Sequence, residues 1–213
     1  GSAIDFDGDN DRVRSGSNAC NQNGGEYSVE AWINFDSAGS SRQTIFGWGN
    51  VRLALWLNSN ENLELYAYST SGYPYATGTT TLVPNVWYHV AGVLSQSNDY
   101  MKVYVNGTLE ATKTLGTSEA IHTLCNYDYI AYSPYWANYF DGKIDEVHMS
   151  DTARTSFTFT RAYTYWSWSH PAVVKLIVNE GPKIASTSLS STVLQQWYAS
   201  DDSTYPIRSD TIG

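Results

Sequence analysis

The chain has 213 residues and a formal net charge of −9, with 15% charged and 15% aromatic residues. Nucleic acid and anionic membrane surfaces both repel such an acidic protein, so neither is expected as a partner. No apolar run reaches the ~20 residues of a transmembrane helix, and 8 Trp, 17 Tyr and 6 Phe among short Val- and Thr-rich runs predict an all-β protein.

In chain order, Ala3 to Phe6 reads as a first strand, Asp7-Gly8-Asp9-Asn10-Asp11 as a tight acidic turn, and Arg12 to Arg14 as the strand resuming. Ser15 to Gly25 is a loop carrying Cys20. From Tyr27 to Phe35 the residues alternate, with Tyr27, Val29, Ala31 and Ile33 on one face. Thr44 to Trp48, Val51 to Leu57 and Leu63 to Tyr68 read as consecutive strands. Tyr73-Pro74-Tyr75-Ala76-Thr77-Gly78 reads as an aromatic loop, because proline is excluded from central strands.

The clearest pattern lies between Val86 and Thr114. Asn106-Gly107 separates two alternating runs and suits a type I′ turn, which needs positive φ at both central residues. Trp87 to Val93, Met101 to Val105 and Thr108 to Thr114 therefore form a meander, the unit of β-sandwiches. Tyr127 to Tyr132 and Gly142 to Met149 complete the set. No helix-period stretch of normal length precedes Arg161, and no repeat occurs at solenoid or propeller spacing.

Four segments in register carry a family resemblance. They are Ala3 to Val13, Tyr27 to Ile33, the Trp-Tyr-His-Val-Ala-Gly strand from Trp87 with its following hairpin, and Phe140-Asp141-Gly142-Lys143-Ile144-Asp145-Glu146-Val147. Together, over residues 3–161, they resemble the laminin-G-like branch of the concanavalin A-like lectin/glucanase superfamily. The resemblance implies an antiparallel jelly-roll β-sandwich. It does not extend over 162–213, which is expected to be a C-terminal extension with at least one extra strand.

That strand is the apolar run at Val173, Val174, Leu176, Ile177 and Val178, bounded by Pro171 and Gly181-Pro182. Such a run suits a strand covered on both faces. The expected partner is a sheet edge, that of a neighbouring subunit, which repeated head to tail gives an open polymer.

The acidic turn places the oxygens of Asp7, Asp9, Asn10 and Asp11 together, and calcium takes six to eight oxygens. The resemblance implies a structural calcium held by Asp7, Asp11 and Asp145, with Asp9 on the same turn. The alternative is a solvated turn whose Asp residues cap backbone amides. Cys20 and Cys125 would close a long loop as a disulfide, worth roughly 3–5 kcal/mol by chain entropy. They read equally as two unrelated buried thiols.

Glucanases of the superfamily carry same-strand carboxylate pairs on one face. Asp145 and Glu146 are adjacent and so expected on opposite faces, Glu61 and Glu64 have odd spacing, and the four histidines lack metal-ligand spacing. His89, in mid-strand, reads as a packed structural residue. No enzymatic activity is expected. Trp48, Tyr73, Tyr75, Tyr135, Trp136 and Tyr139 are candidates for stacking on sugar rings, although core packing or a protein interface would use the same residues.

The sequence thus reads as a non-catalytic, extracellular or cell-surface, structural and adhesive protein. Self-assembly into an array or filament by strand pairing is the leading expectation. The alternative is a carbohydrate-binding, lectin-like module of a larger secreted protein, with glycans as partners.

Overall fold

The computed structural model of the protein describes residues 3–15, 25–39, 41–48, 53–116, 120–121, 127–134, 136–157, 177–178 and 197–200. Two 7-stranded sheets pack face to face. The first contains β1 (Ile4–Asp7), β14 (Asp141–Ser150), β3 (Glu26–Phe35), β8 (Tyr88–Ser95), β9 (Tyr100–Val105) and β10 (Thr108–Thr114), in that spatial order, all antiparallel. The second runs β2 (Arg12–Ser15), β11 (Asp128–Ile130), β4 (Gln43–Trp48), β5 (Leu53–Leu57), β6 (Asn62–Ala67) and β7 (Tyr75–Thr81). β12 (Tyr132–Ser133) and β13 (Asn138–Tyr139) pair as a separate two-stranded hairpin. The all-β sandwich expected from the sequence is the one observed.

Alternation decides which side of each strand enters the core. Tyr27, Val29, Ala31, Ile33 and Phe35 of β3 face Leu53, Leu55 and Leu57 of β5 and Leu63 and Leu65 of β6 in one buried cluster. Gly92 of β8 leaves room for the facing sheet, since a Cβ there would lie 2.9 Å from Leu65 Cδ1 and 3.1 Å from Leu55 Cδ1. The β9–β10 turn has Asn106 at φ 49° and Gly107 at φ 75°, the type I′ signature. Asn106 is doubly tied to β8, its amide donating to His89 O at 2.7 Å and its Oδ1 accepting from His89 N at 3.0 Å.

Two expectations need correction. Tyr75–Thr81 is a strand, β7, at the far side of the second sheet, and Pro74 sits just ahead of it, where a missing N–H is harmless. In β14 the register against β3 shifts between Asp145 and His148, with Glu146 at φ 49°. This bulge inserts one residue and reverses the parity. Ile144 and Val147 both enter the core, while Asp145 and Glu146 both stay outside it instead of splitting between faces.

The sandwich is closed along one side by Glu110 of β10. Its carboxylate accepts hydrogen bonds from Thr79 N (3.1 Å), Thr79 Oγ1, Thr80 N and Thr80 Oγ1 (2.9 Å each) on β7. Burial raises the Glu110 pKa, but these donors outweigh it and hold the carboxyl below its ordinary value.

Two short strands come from the C-terminal region. β15 (Ile177–Val178) pairs in parallel with His148 and Met149 of β14, on the edge that β1 occupies further along. β16 (Trp197–Ser200) pairs antiparallel with β2. The expected assembly strand therefore meets its own chain at Ile177 and Val178, while Val173, Val174 and Leu176 lie outside the described residues. Cys20 and Cys125 lie outside them as well. Among the described residues no helix is long and apolar enough to cross a membrane.

Candidate functional site

The outer face of the second sheet is built from two cross-strand rows. Pairing sets Gly47, Ala54, Tyr66 and Tyr75 opposite one another across β4 to β7, and Thr44, Trp56, Glu64 and Thr77 beside them. The leucines of β5 and β6 take the core side, so Trp56, Glu64 and Tyr66 must point outward. Small residues in the first row leave room above them. A Cβ on Gly47 would come within 2.6 Å of Tyr132 O, so only glycine lets the β12–β13 hairpin lie this close over β4.

That hairpin delivers Trp136. Its indole meets Trp56 edge-on at 4.9 Å between centroids and Tyr66 edge-on at 5.0 Å. Trp56 stacks on Tyr66 at 5.3 Å and is 0% exposed although it lies outside the main core. From the other side the β6–β7 connection brings Tyr73 parallel to Tyr66 at 6.3 Å and to Tyr68 at 5.4 Å, and Tyr75 follows at 5.3 Å from Tyr66. Tyr73 is 61% exposed and Tyr75 36%. The result is an aromatic shelf with a packed floor and open faces along one margin.

Two charges flank it. Glu64 accepts from Trp56 Nε1 at 2.7 Å, Thr77 Oγ1 at 2.9 Å and Asn58 Nδ2 at 3.1 Å. Arg42 lays its guanidinium over Trp56 at 4.8 Å and Trp136 at 5.9 Å. Both charges reach Tyr75. Burial raises its phenol pKa, Arg42 opposes that, and Glu64 and Tyr73 add to it.

Of the aromatic residues expected to bind a ligand, the structure unites Tyr73, Tyr75 and Trp136. Trp48 is a core residue, 2% exposed, packed edge-on against Tyr27 and Phe46, because its β4 parity points inward. Tyr139 belongs to a separate group with Tyr132 (4.7 Å) and Arg12, whose Nη1 donates to its hydroxyl at 3.5 Å. Tyr135 lies outside the described residues. Sequence reasoning missed Trp56, Tyr66, Arg42 and Glu64. The alternation of Leu53, Leu55 and Leu57 with Ala54 and Trp56 carried the signal for the first of these.

The acidic turn does not assemble the expected ligand set. Asp7 Oδ1 accepts from Asp9 N at 3.0 Å, and Asp11 Oδ2 from Asp7 N at 3.2 Å, so both cap their own turn. The β14 residue opposite Asp7 is Asp141, not Asp145. Asp145 lies four positions further along the strand, with Oδ1 accepting from Glu146 N at 2.9 Å. Among the described residues no group of three or more His, Cys, Asp or Glu is placed to hold a metal.

A second polar cluster occupies the outer face of the first sheet. Glu30 meets His89 Nε2 at 3.1 Å, His148 Nδ1 at 3.4 Å and the Arg154 guanidinium. Burial opposes ionisation of Glu30, yet the hydrogen bonds from His148 and His89 and the Arg154 charge hold its carboxyl far below the usual range. The chain after β14 lies across this cluster, anchored by Arg154 N donating to Ser28 Oγ at 2.9 Å, with Phe157 against Tyr104 at 4.9 Å. His89 is a packed structural residue, as expected.

The fold is that of a lectin-like sandwich. The chain belongs to the concanavalin A-like lectin/glucanases superfamily, in its laminin-G-like branch, whose family model matches residues 7–158. No curated protein matches the sequence significantly. Among solved structures it is similar to the heptameric SAP-like pentraxin of Limulus polyphemus, with 18% identity and TM-score 0.55 over 72% of this chain and 77% of that one. It is also similar to the CBM40 of the Ruminococcus gnavus IT-sialidase bound to α2,3-sialyllactose, with 11% identity and TM-score 0.56 over 72% and 92%. A third is domain 4 of AbnA, a GH43 extracellular arabinanase from Geobacillus stearothermophilus, in complex with arabinotriose, with 21% identity and TM-score 0.54 over 74% and 73%. At these identities the likeness is one of fold.

Proposed function

We propose that the protein is an extracellular, non-catalytic glycan-binding module and that the aromatic shelf is its binding face. The observation that carries this is the exposure of Tyr73 and Tyr75 beside a floor of buried, mutually packed rings. Sugar rings present C–H faces that stack on aromatic surfaces, and flanking polar groups fix their hydroxyls. The CBM40 bound to sialyllactose and the arabinanase domain in complex with arabinotriose support the reading.

The shelf's chemistry supports binding without hydrolysis. Glycoside hydrolysis takes a pair of carboxyl groups flanking the scissile bond. The shelf's described residues include one carboxylate, Glu64, and its oxygens are held by three donors. Self-assembly through the C-terminal strand stands second to this reading, because the similar solved structures that hold glycans support the lectin-like alternative. A glycan array followed by titration of intrinsic Trp fluorescence tests the proposal. Binding that is lost in Tyr73→Ala with melting unchanged supports it, and an array without a binder refutes it.

A further inference from the structure

Arg42 occupies an unusual position in an acidic protein. Asp and Glu outnumber Lys and Arg by 21 to 12, so carboxylates to pair with it are abundant. Yet the ion pairs formed among the described residues leave Arg42 out. Its Nε is buried without a hydrogen-bond partner there, and its contacts are the faces of Trp56 and Trp136. Leaving a buried guanidinium N–H unpaired is costly unless a ligand completes it.

The neighbouring charge sharpens the point. Glu64 flanks the same Trp56 ring, accepting from the indole N–H at 2.7 Å while Arg42 lies over the ring face at 4.8 Å. Three donors already satisfy Glu64, so it offers little to a ligand and repels anions at that edge. Arg42 presents a planar fork whose geometry matches a carboxylate in bidentate fashion. The shelf thus carries an unsatisfied cation over the Trp56 face and a saturated anion at the N–H edge of that ring.

We propose that the shelf selects a sugar bearing a carboxylate, a uronic or a sialic acid, with the carboxylate seated on Arg42 and the ring stacked toward Tyr75. This rests on the glycan-binding reading above. Two sources supply the same group, plant or algal polyuronates and sialylated glycans, and the test separates them.

The probes are oligogalacturonate, oligomannuronate and 3′-sialyllactose, each beside its carboxyl-reduced, neutral counterpart. Binding is read by Trp fluorescence on the full chain. At least one acid should bind about tenfold or more tightly than its reduced form, the scale of one charge-assisted hydrogen bond. Arg42→Gln should abolish that preference, and Arg42→Lys, which keeps the charge and loses the fork, should retain part of it with melting close to wild type. Equal binding of acids and reduced forms, a preference that survives Arg42→Gln, or no binding by any acid overturns the inference. The first of these, or the last accompanied by neutral glycans that bind, leaves the glycan-binding reading intact. A chain that binds no sugar at all ends both.

Discussion

Trp56 and Glu64 stand directly opposite each other on β5 and β6, and the indole Nε1–H donates to the Glu64 carboxylate at 2.7 Å. The bond fixes the tilt of the ring that forms the floor of the shelf. Thr77, opposite Glu64 on the other side, donates to the same carboxylate, so three adjacent strands share one acceptor group.

Replacing Glu64 by Gln turns one acceptor oxygen into a donor facing other donors. The variant should lose about 1–3 kcal/mol in urea unfolding, the cost of an unsatisfied buried polar contact. Its Trp fluorescence should shift as the Trp56 ring is released. An unchanged midpoint and spectrum would show that the bond does not position the ring.

Trp56 and Tyr73 should separate stability from binding. Trp56→Ala empties a fully buried site and should cost about 3–5 kcal/mol. Tyr73→Ala removes a mostly exposed ring and should leave the melting temperature within a few degrees while lowering glycan affinity. Equal destabilisation by the two variants would contradict the division into floor and open face.

Gly47→Ala should displace the β12–β13 hairpin, because the new methyl would meet Tyr132 O at 2.6 Å. Overpacking of this kind costs typically 1–3 kcal/mol. The hairpin carries Trp136, so the expected signature is a changed Trp environment together with weaker glycan binding. A melting curve and a binding titration identical to wild type would refute the close approach.

Asp128 makes stability depend on pH. Burial raises its carboxyl pKa from 3.8 to about 7, so the folded protein holds this proton more tightly than the unfolded chain does. The contribution is complete below about pH 4 and is lost as pH rises to about 7, with a total of a few kcal/mol at ~1.4 kcal/mol per pKa unit. Asp128→Asn should flatten that limb and stabilise the protein at pH 8. A wild-type stability that rises between pH 5 and 8, with the variant following in parallel, would reverse the assignment.

Glu30 acts with the opposite sign. Its folded pKa is depressed, so its contribution is present above the ordinary value of 4.5 and is lost as pH falls below it. Glu30→Gln should cost about 3 kcal/mol at pH 7, at the low end for breaking a buried ion pair. The discount reflects His148 and Arg154, whose side chains keep 36% and 34% exposure. In denaturant melts the gap between variant and wild type should be smaller at pH 3 than at pH 7.

Local signals in the sequence were sufficient for the sandwich. Asn106-Gly107 and the alternation on either side of it fix a hairpin, and hydrophobic parity then fixes which face is buried. Parity fails where a bulge inserts a residue. Nothing in Asp145-Glu146-Val147 marks the shift in β14, so the two acids were expected on opposite faces. The shelf was half legible. Tyr73, Tyr75 and Trp136 stood out as aromatic residues in loop-like segments, whereas Trp56 and Tyr66 were hidden in strands that read as core. Arg42 and Glu64 acquire meaning only from rows that cross four strands, a relationship set by long-range pairing. Trp48 misled because Gly49-Asn50 follows it in the sequence while its own parity points inward.

The hydrogen bonds that Glu110 accepts from Thr79 and Thr80 bear on how this domain behaves beside copies of itself. The amides of an outermost strand invite a second chain to extend the sheet, the usual route to domain swapping and fibril growth. Here two of those amides are already occupied by a carboxylate whose depressed pKa keeps it ionised through mildly acidic conditions. A neighbour approaching that margin meets a negative charge and spent donors. At Thr79 and Thr80 that margin is therefore a poor template for a second chain.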